Sequence, residues 1–223
     1  EYTTDGQSVQ IVYSDATKGW IPISDDVVAD VPVSGNQNGI FGFGNSGSFT
    51  AVTNLVTNVG VVGTDVSGVG TARVDLAGTQ YGTGLGIFGY GNSGSYISLT
   101  NLVSNTGVVA TDTTGVGTGR AYLAACTYGV DKGIFGYGGS GSNSSLTNLV
   151  SNAGVVASDV TGVGSARKQL AATQYGGDKG IFGYGDTGSI VSLTNLVSNA
   201  GVVATDTTGV GSARQQLSAC SYN

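Results

Sequence analysis

The sequence is poor in the residues on which most enzyme active sites depend. Its 223 residues include no histidine, two cysteines and a single glutamate, Glu1, and only eight are lysine or arginine. Without histidine the chain cannot build Ser-His-Asp or Cys-His nucleophile systems, histidine metal sites or an imidazole proton shuttle. A glycosidase would need two aspartates in unlike environments, whereas most of the aspartates in the repeats recur in equivalent sequence contexts. We therefore expect a protein that is not an enzyme, with no catalytic residue and no cofactor.

Charge and hydropathy argue against two further classes. The formal net charge is −6 and the pI is about 4.2, which disfavours a nucleic-acid partner because binding to phosphates needs lysine and arginine. No apolar run approaches the ~20 residues of a transmembrane helix, so we expect no membrane span. The first residue is Glu1 instead of Met, and we expect either a processed form or part of a longer polypeptide.

The chain after residue 38 is a fourfold repeat. A run of Gly-Ile-Phe-Gly-(Phe or Tyr)-Gly returns every 47 residues without insertion or deletion. Its copies begin at Gly39, Gly86, Gly133 and Gly180. Three other segments return in the same register: Thr-Asn-Leu-Val, first at Thr53; Gly-Val-Val, first at Gly60; and an arginine-led segment, first at Arg73. Such self-similarity is typical of solenoids, propellers and arrays. The domains we predict are an N-terminal segment, residues 1–38, and repeat units 39–85, 86–132, 133–179 and 180–223.

The recurring segments have the composition of strands. Each is short, rich in Val, Ile, Leu and aromatic residues, and bounded by Gly, Asn, Asp or Ser. Four strands in about 45 residues is the size of one propeller blade. The predicted fold is all-β: a β-propeller of four four-stranded blades. Its first blade would be completed by a C-terminal strand over residues 214–222, which closes the ring and removes the exposed edges. Five blades, with a hybrid N-terminal blade, are the alternative.

The order of these segments resembles a known repeat family. Ala-Arg-x-x-Leu-Ala, Gly-Ile-Phe-Gly-Tyr-Gly, Asn-Leu-Val-Ser-Asn and Val-Val-Ala-Thr-Asp follow one another as the strands of a degenerate kelch-type blade do. The resemblance lies in strand order and glycine placement, and it implies a propeller. The chain departs from the kelch pattern in two ways: Tyr or Phe splits the paired glycines, and the blade tryptophan is absent.

The N-terminal segment carries a second resemblance. Apolar residues alternate between Val9 and Tyr13 and resume at Trp20, with a turn signal between them, which predicts a β-hairpin. The motif Val-Tyr-Ser-Asp-Ala-Thr-Lys-Gly-Trp over residues 12–20 resembles a segment common in marine bacteriophage virion proteins. There it often precedes a variable distal region. The resemblance implies that residues 1–38 attach the protein to a particle and that the repeats are displayed outward.

Aspartates could bind cations at two places. Asp25, Asp26 and Asp30 either bind a cation or belong to a solvated linker that continues through residues 31–38. In the repeats, one aspartate per unit either forms an Asx turn or pairs with the arginine eight positions later, giving a tie within each blade. A ring of calcium sites is the alternative, but one carboxylate per unit is too few for calcium's roughly six to eight oxygen ligands. We predict no metal site. The predicted pairs are Asp65 with Arg73, Asp112 with Arg120, Asp159 with Arg167, and Asp206 with Arg214.

The units differ most after the glycine-aromatic run. Loops on a rigid frame commonly carry binding, so a ring of variable side chains is a candidate ligand-binding surface. The alternative is that these differences reflect local packing alone. The candidate residues are Phe49 and Thr50, Tyr96 and Ile97, Asn143 and Ser144, and Ile190 and Val191.

The two cysteines are 94 residues apart, which is twice the repeat length. In a four-bladed ring, Cys126 and Cys220 would face each other across the axis. We therefore expect two small buried side chains and no disulfide.

Together these features predict a bacteriophage virion structural protein: a tail fibre, appendage or decoration that displays a propeller for host-surface or glycan recognition. The expected partners are other virion subunits or further copies of the chain, for example in a trimer, and a host surface glycan. The expected location is the virion, outside the cell, or alternatively secretion. A secreted lectin-like propeller and a purely structural spacer or filament subunit are the alternative functions.

Overall fold

The computed structural model describes residues 8–26 and 38–222. The chain divides into two compact units, Glu1–Gly35 and Asn36–Asn223. All regular elements in the described residues are strands, so the predicted all-β class is confirmed. These residues include no helix that could cross a membrane.

The first unit contains the predicted hairpin. Strand β1 (Ser8–Asp15) pairs antiparallel with β2 (Gly19–Asp26). The turn forms because the Asp15 carboxylate accepts hydrogen bonds from the backbone N–H groups of Thr17 and Lys18, both at 2.8 Å. Asp30 and residues 31–37 of the predicted linker lie outside the described residues.

The repeats form small antiparallel sheets. The first sheet has two strands, β3 (Gly39–Asn45) and β4 (Phe49–Val56). Each of the other three has three strands in chain order. They are β5 (Ala77–Tyr81), β6 (Leu85–Gly89) and β7 (Thr100–Val103); β8 (Ala124–Tyr128), β9 (Lys132–Gly136) and β10 (Thr147–Val150); and β11 (Ala171–Tyr175), β12 (Lys179–Asp186) and β13 (Ile190–Val197).

The predicted fourth strand of each unit is only a pair of bridges. In the second sheet, Val103 bridges Val109, and Thr100 bridges Thr113. Between these bridges the side-chain amide of Asn101 donates to the Ala110 carbonyl at 3.0 Å. In a regular fourth strand the Ala110 carbonyl would accept a backbone N–H. Because it accepts the Asn101 side chain instead, the backbone hydrogen bonds of the strand pair are interrupted there.

The C-terminal segment does not close the first sheet. Residues 214–222 contain no strand, and no hydrogen bond joins them to β3 in the described structure. The segment instead continues from the last sheet, because Gly185 N–H donates to the Arg214 carbonyl at 3.0 Å and Gln216 N–H donates to the Gln169 carbonyl at 2.9 Å. The first sheet thus keeps two strands, and closure by this segment was a wrong prediction.

The core lies between successive sheets. Phe135 of β9 covers Gly89 of the preceding sheet so closely that a Cβ there would lie 2.7 Å from the ring, and Phe182 covers Gly136 in the same way. Both phenylalanines are fully buried. Each contributes on the order of 1.5–3 kcal/mol by leaving water. The glycines of the repeat are therefore needed for the close approach of one sheet to the next.

Candidate functional site: the arginine junctions between repeats

The contact between two successive repeat units of the sequence, called a junction below, is built around a strained aromatic residue. Tyr90 follows β6 with φ of 65°, and its equivalents Phe43, Tyr137 and Tyr184 have φ of 63–65°. This left-handed conformation costs about 1–2 kcal/mol in a non-glycine residue. At Tyr90 its carbonyl accepts a hydrogen bond from the arginine of the preceding repeat. The strain is therefore offset within the junction.

The arginine that makes this bond is buried and fully engaged. Arg73 donates from Nε to the Tyr90 carbonyl at 2.8 Å and from Nη2 to Asn101 Oδ1 at 2.6 Å. Its Nη1 donates to the Thr71 carbonyl at 3.0 Å, and its guanidinium lies 4.1 Å from the centre of the Phe43 ring. The side chain has no exposed surface. One arginine thus links the aromatic residue of its own repeat to the backbone of the next.

A second layer of hydrogen bonds holds the acceptor in place. Asn101 donates through Nδ2 to Asp112 Oδ1 at 2.9 Å, so its Oδ1 is turned toward Arg73. Asp112 Oδ2 in turn accepts from the Thr71 hydroxyl at 2.6 Å and from the Thr71 N–H at 3.0 Å. Asp112 is therefore bonded to Thr71, which lies in the same repeat unit as Arg73, and both of its carboxylate oxygens accept hydrogen bonds.

The next two junctions repeat this geometry. Arg120 donates to the Tyr137 carbonyl at 2.8 Å and to Asn148 at 2.6 Å. Arg167 donates to the Tyr184 carbonyl at 2.8 Å and to Asn195 at 2.6 Å. The matching aspartates accept from hydroxyl groups, Asp159 from Thr118 and Asp206 from Ser165, at 2.7 Å each.

The arginines pair across junctions and not within units. The nearest carboxylate of Arg73 is Asp112 at 3.9 Å, that of Arg120 is Asp159 at 3.7 Å, and that of Arg167 is Asp206 at 3.7 Å. The predicted pairs are therefore wrong: the partner lies one sequence unit further along the chain. The physical reason is the strand order, because Arg73 leads into β5, which pairs in one sheet with β6 and β7, where Asn101 lies and Thr100 bridges the neighbour of Asp112. Only the stacking on Phe43 reaches the preceding sheet.

Burial and hydrogen bonding shift the titration of these groups. Burial lowers the pKa of Arg73 to about 10, which leaves the guanidinium charged at neutral pH. Burial would raise the pKa of Asp112, but hydrogen bonds from Thr71 and Asn101 and the charge of Arg73 outweigh it, so this pKa lies below its usual value. Burial also raises the pKa of Tyr90 to about 12. At neutral pH Arg73 and Asp112 are therefore both charged, as their hydrogen bonds require.

The asparagines are the junction residues without an assigned role in the sequence prediction. Asn101, Asn148 and Asn195 are fully buried, and each joins an arginine to an aspartate. A signal for them was present, since an identical polar residue sits inside an otherwise apolar Thr-Asn-Leu-Val strand in every unit. A buried amide in such a strand needs hydrogen-bond partners.

The candidate ligand-binding residues lie in equivalent hairpins of successive sheets. At the first position, Phe49, Tyr96 and Ile190 are 38%, 42% and 52% exposed. Asn143 differs, because it is half-buried and its amide donates to the Asp186 carbonyl of the next sheet at 2.9 Å. At the second position all four side chains are half-buried: Thr50, Ile97, Ser144 and Val191. The hydroxyls of Thr50 and Ser144 accept backbone N–H bonds at 3.1 Å. The outward-facing part of this surface is therefore the first position.

The two cysteines occupy different environments. Cys126 is buried, and burial raises the pKa of its thiol to about 12, whereas Cys220 is exposed. Burial was thus predicted correctly for the first and wrongly for the second, because residues 214–222 lack a covering sheet. Both thiols are free and line one open groove of about 280 Å³, together with Thr79 and Thr173 at the equivalent positions of the other repeats.

Comparison with models of protein families gives no match, and comparison with curated protein sequences gives none.

Proposed function

We propose that this chain is a structural protein of a bacteriophage virion, a tail fibre, appendage or decoration, whose repeats display side chains for recognition of a host surface or glycan. Two features support the proposal. One is the resemblance of residues 12–20 to a segment of marine bacteriophage virion proteins. The other is the division of the repeat into a constant interior and a variable outer position.

The observation that carries the proposal is this contrast. The junction residues are the same in type at every repeat and form internal hydrogen bonds at three junctions, whereas the first hairpin position changes from Phe to Tyr, Asn and Ile. Exposed aromatic rings such as Phe49 and Tyr96 can stack on the apolar face of a sugar. Several weak contacts held on one rigid frame gain effective concentration, so modest single contacts would suffice.

In this proposal the sheets curve as blades of a propeller. Face-to-face sheets stack about 10 Å apart, so four equivalent positions in a straight stack would spread over roughly 30 Å. Thr79, Cys126, Thr173 and Cys220 instead border a single groove of about 280 Å³, which favours curvature around the strands that carry them. Residues 1–38 would attach the protein to other virion subunits or to copies of itself, for example as a trimer.

The alternatives make different demands on the variable positions. A secreted lectin-like protein would carry an equal sugar site in every unit, and the unlike residues at Tyr96, Asn143 and Ile190 give that reading less support. A structural spacer or filament subunit would have no ligand at these positions. The exposed aromatic rings favour recognition over the spacer.

Binding to cells tests the recognition part. Fluorescently labelled protein should bind saturably to some members of a panel of marine bacteria or to their purified surface polysaccharides. A Phe49→Ser/Tyr96→Ser variant should lose this binding. The matched control, Val61→Ser/Val108→Ser, removes exposed side chains at equivalent positions of the same two units and should bind as the wild type does. Folded protein that binds nothing, or that binds equally after the aromatic change, would refute recognition.

Localisation tests the virion part separately. Antibodies against the recombinant chain should label the tails or appendages of marine bacteriophage particles in electron micrographs. Labelling restricted to culture supernatant, with none on particles, would favour the secreted protein instead.

A further inference from the structure

The last repeat presents the donor half of a junction. Arg214 lies 4.1 Å from the centre of the Tyr184 ring, as its equivalents lie on theirs, but its side chain is exposed. Within residues 8–26 and 38–222 its only hydrogen bond is from Nη1 to the Ser212 carbonyl at 3.2 Å. The buried equivalent Arg167 uses Nε and Nη2 as well. Arg214 is thus placed for a junction and lacks the acceptors of one.

The first sheet presents the acceptor half. Asn54 donates from Nδ2 to Asp65 Oδ1 at 2.8 Å and to the Gly63 carbonyl at 3.2 Å, which is the arrangement that turns the Oδ1 of Asn101 toward Arg73. Phe43 has φ of 64°, so its carbonyl is held in the conformation that accepts an arginine Nε elsewhere. No arginine in the described segments donates to Asn54 or to Phe43. The acceptor geometry is therefore already formed.

The apolar surfaces at the two ends also match. Phe41 is 64% exposed, although its equivalents Phe135 and Phe182 are fully buried against a glycine of the preceding sheet. At the other end, a Cβ on Gly183 would meet only Thr194 Cγ2, at 3.4 Å, whereas a Cβ on Gly136 would lie 2.6 Å from the Phe182 ring. One end has a phenylalanine without its glycine surface, and the other has the glycine surface without a phenylalanine.

We propose that these ends join head to tail between two copies of this chain. Arg214 of one copy donates to the Phe43 carbonyl and to Asn54 of the next, beside the Asp65 carboxylate, and Phe41 of the next copy covers Gly183 of the first. A second copy fits because it supplies every group that the three internal junctions use. The inference does not depend on the proposed function.

The form of the assembly follows from the symmetry of the contact. A head-to-tail contact is heterologous, since each copy uses two different surfaces, and it produces a closed ring or an extending filament according to the rotation at each contact. Either form continues the stack of sheets from one copy into the next.

Two variants, each of which disrupts one side of the contact between copies, test the proposal. Arg214→Glu removes the donor half and Phe41→Ser removes the apolar part of the other half, and both residues are exposed, so the fold should persist. In sedimentation velocity at increasing concentration, the wild-type chain should associate. Each variant alone should associate at least about thirtyfold more weakly, as expected when one partner of a buried hydrogen-bonded charge pair or a central contact is lost.

Mixing the two variants gives the decisive result. The Arg214→Glu protein keeps an intact acceptor end and the Phe41→Ser protein keeps an intact donor end, so an equimolar mixture should form a one-to-one dimer and nothing larger. Val130→Glu, which adds a negative charge at an exposed position in the turn between β8 and β9, should associate as the wild type does. A wild type that stays monomeric at all concentrations, as it would if the ends closed on each other within one chain, overturns the proposal. So does association that survives Arg214→Glu, or a mixture that forms no dimer.

Discussion

Replacing Arg120 with alanine should destabilise the repeats far more than replacing Arg214 with alanine, although the two residues are sequence equivalents. Arg120 is buried between two sheets and donates three hydrogen bonds, to the Tyr137 carbonyl, to Asn148 and to the Thr118 carbonyl, at 2.6–3.2 Å. It also lies 4.4 Å from the Tyr90 ring centre. Arg214 makes one of these hydrogen bonds and is exposed.

The magnitude follows from the groups left behind. Truncation of Arg120 leaves a buried carbonyl and a buried amide oxygen without donors, each at a cost of about 1–3 kcal/mol, and removes the cation near Asp159. Breaking a buried charge pair by removing one partner typically costs about 3–5 kcal/mol, and we expect Arg120→Ala to fall in that range. For an exposed side chain such as Arg214 the change should stay within about 0.5 kcal/mol. Arg120→Lys should lose most of the same stability, because an ammonium cannot reproduce the planar fork.

Thermal denaturation followed by far-UV circular dichroism measures the difference. For a chain of this length a loss of 3–5 kcal/mol corresponds to a fall in Tm of roughly 6–20 °C. The melting curves are recorded at a protein concentration where the wild type is monomeric, so that Arg214 contributes no contact between copies. If Arg120→Ala and Arg214→Ala lower Tm equally, the junctions do not hold the repeats together and the reasoning fails.

Three further predictions concern the packing between sheets, the junction aspartates and the two cysteines. Gly136→Ala places a Cβ 2.6 Å from a buried phenylalanine ring and should lower the free energy of unfolding by about 1–3 kcal/mol in urea denaturation. Gly183→Ala, whose Cβ would lie 3.4 Å from its nearest neighbour, should be close to neutral. Equal losses of stability in the two variants would contradict the packing. The three aspartates that accept junction bonds have pKa values below their usual range, so their stabilisation is present above the unfolded pKa of about 4 and is lost as the pH falls through the lower folded values. Tm should therefore fall steeply below about pH 4, and less so in Asp159→Asn; a flat profile would count against the junction bonds. In the folded protein at pH 8, maleimide should label Cys220 and leave Cys126 unlabelled. Both thiols should be labelled in denaturant, and intact-mass spectrometry counts the labels. Rapid labelling of both thiols in the folded protein would show that Cys126 is not buried.

The strands were predictable because their signal is local. Gly-Ile-Phe-Gly and Thr-Asn-Leu-Val form β6 and β7 in antiparallel register, as composition and bounding residues predict. Gly-Val-Val was predicted as a strand on the same grounds and forms only bridges. The difference lies in Asn101, whose side chain bonds the Ala110 carbonyl, a competition that strand composition does not reveal.

The pairing of arginine with aspartate was not predictable in the same way. Arg120 has an aspartate eight residues before it, Asp112, and another 39 residues after it, Asp159, and the units around both are nearly the same. Sequence spacing favours the nearer residue. The structure selects the farther one because Arg120 leads into β8, the first strand of the sheet whose third strand, β10, bridges the residue that follows Asp159.

The all-β class, the fourfold repeat, the lack of imidazole chemistry and the positions of most strands follow from the amino-acid sequence alone, since each depends on composition or on local hydrogen bonding. Folding alone settles which copies of a repeated residue meet, which thiol is covered, and that in the described residues Arg214 lacks the acceptors of its equivalents and Asn54 lacks an arginine donor. Repeats that are nearly the same in sequence have nearly the same local preferences. What distinguishes one from another is the neighbour against which it packs, and that neighbour exists only in the folded chain.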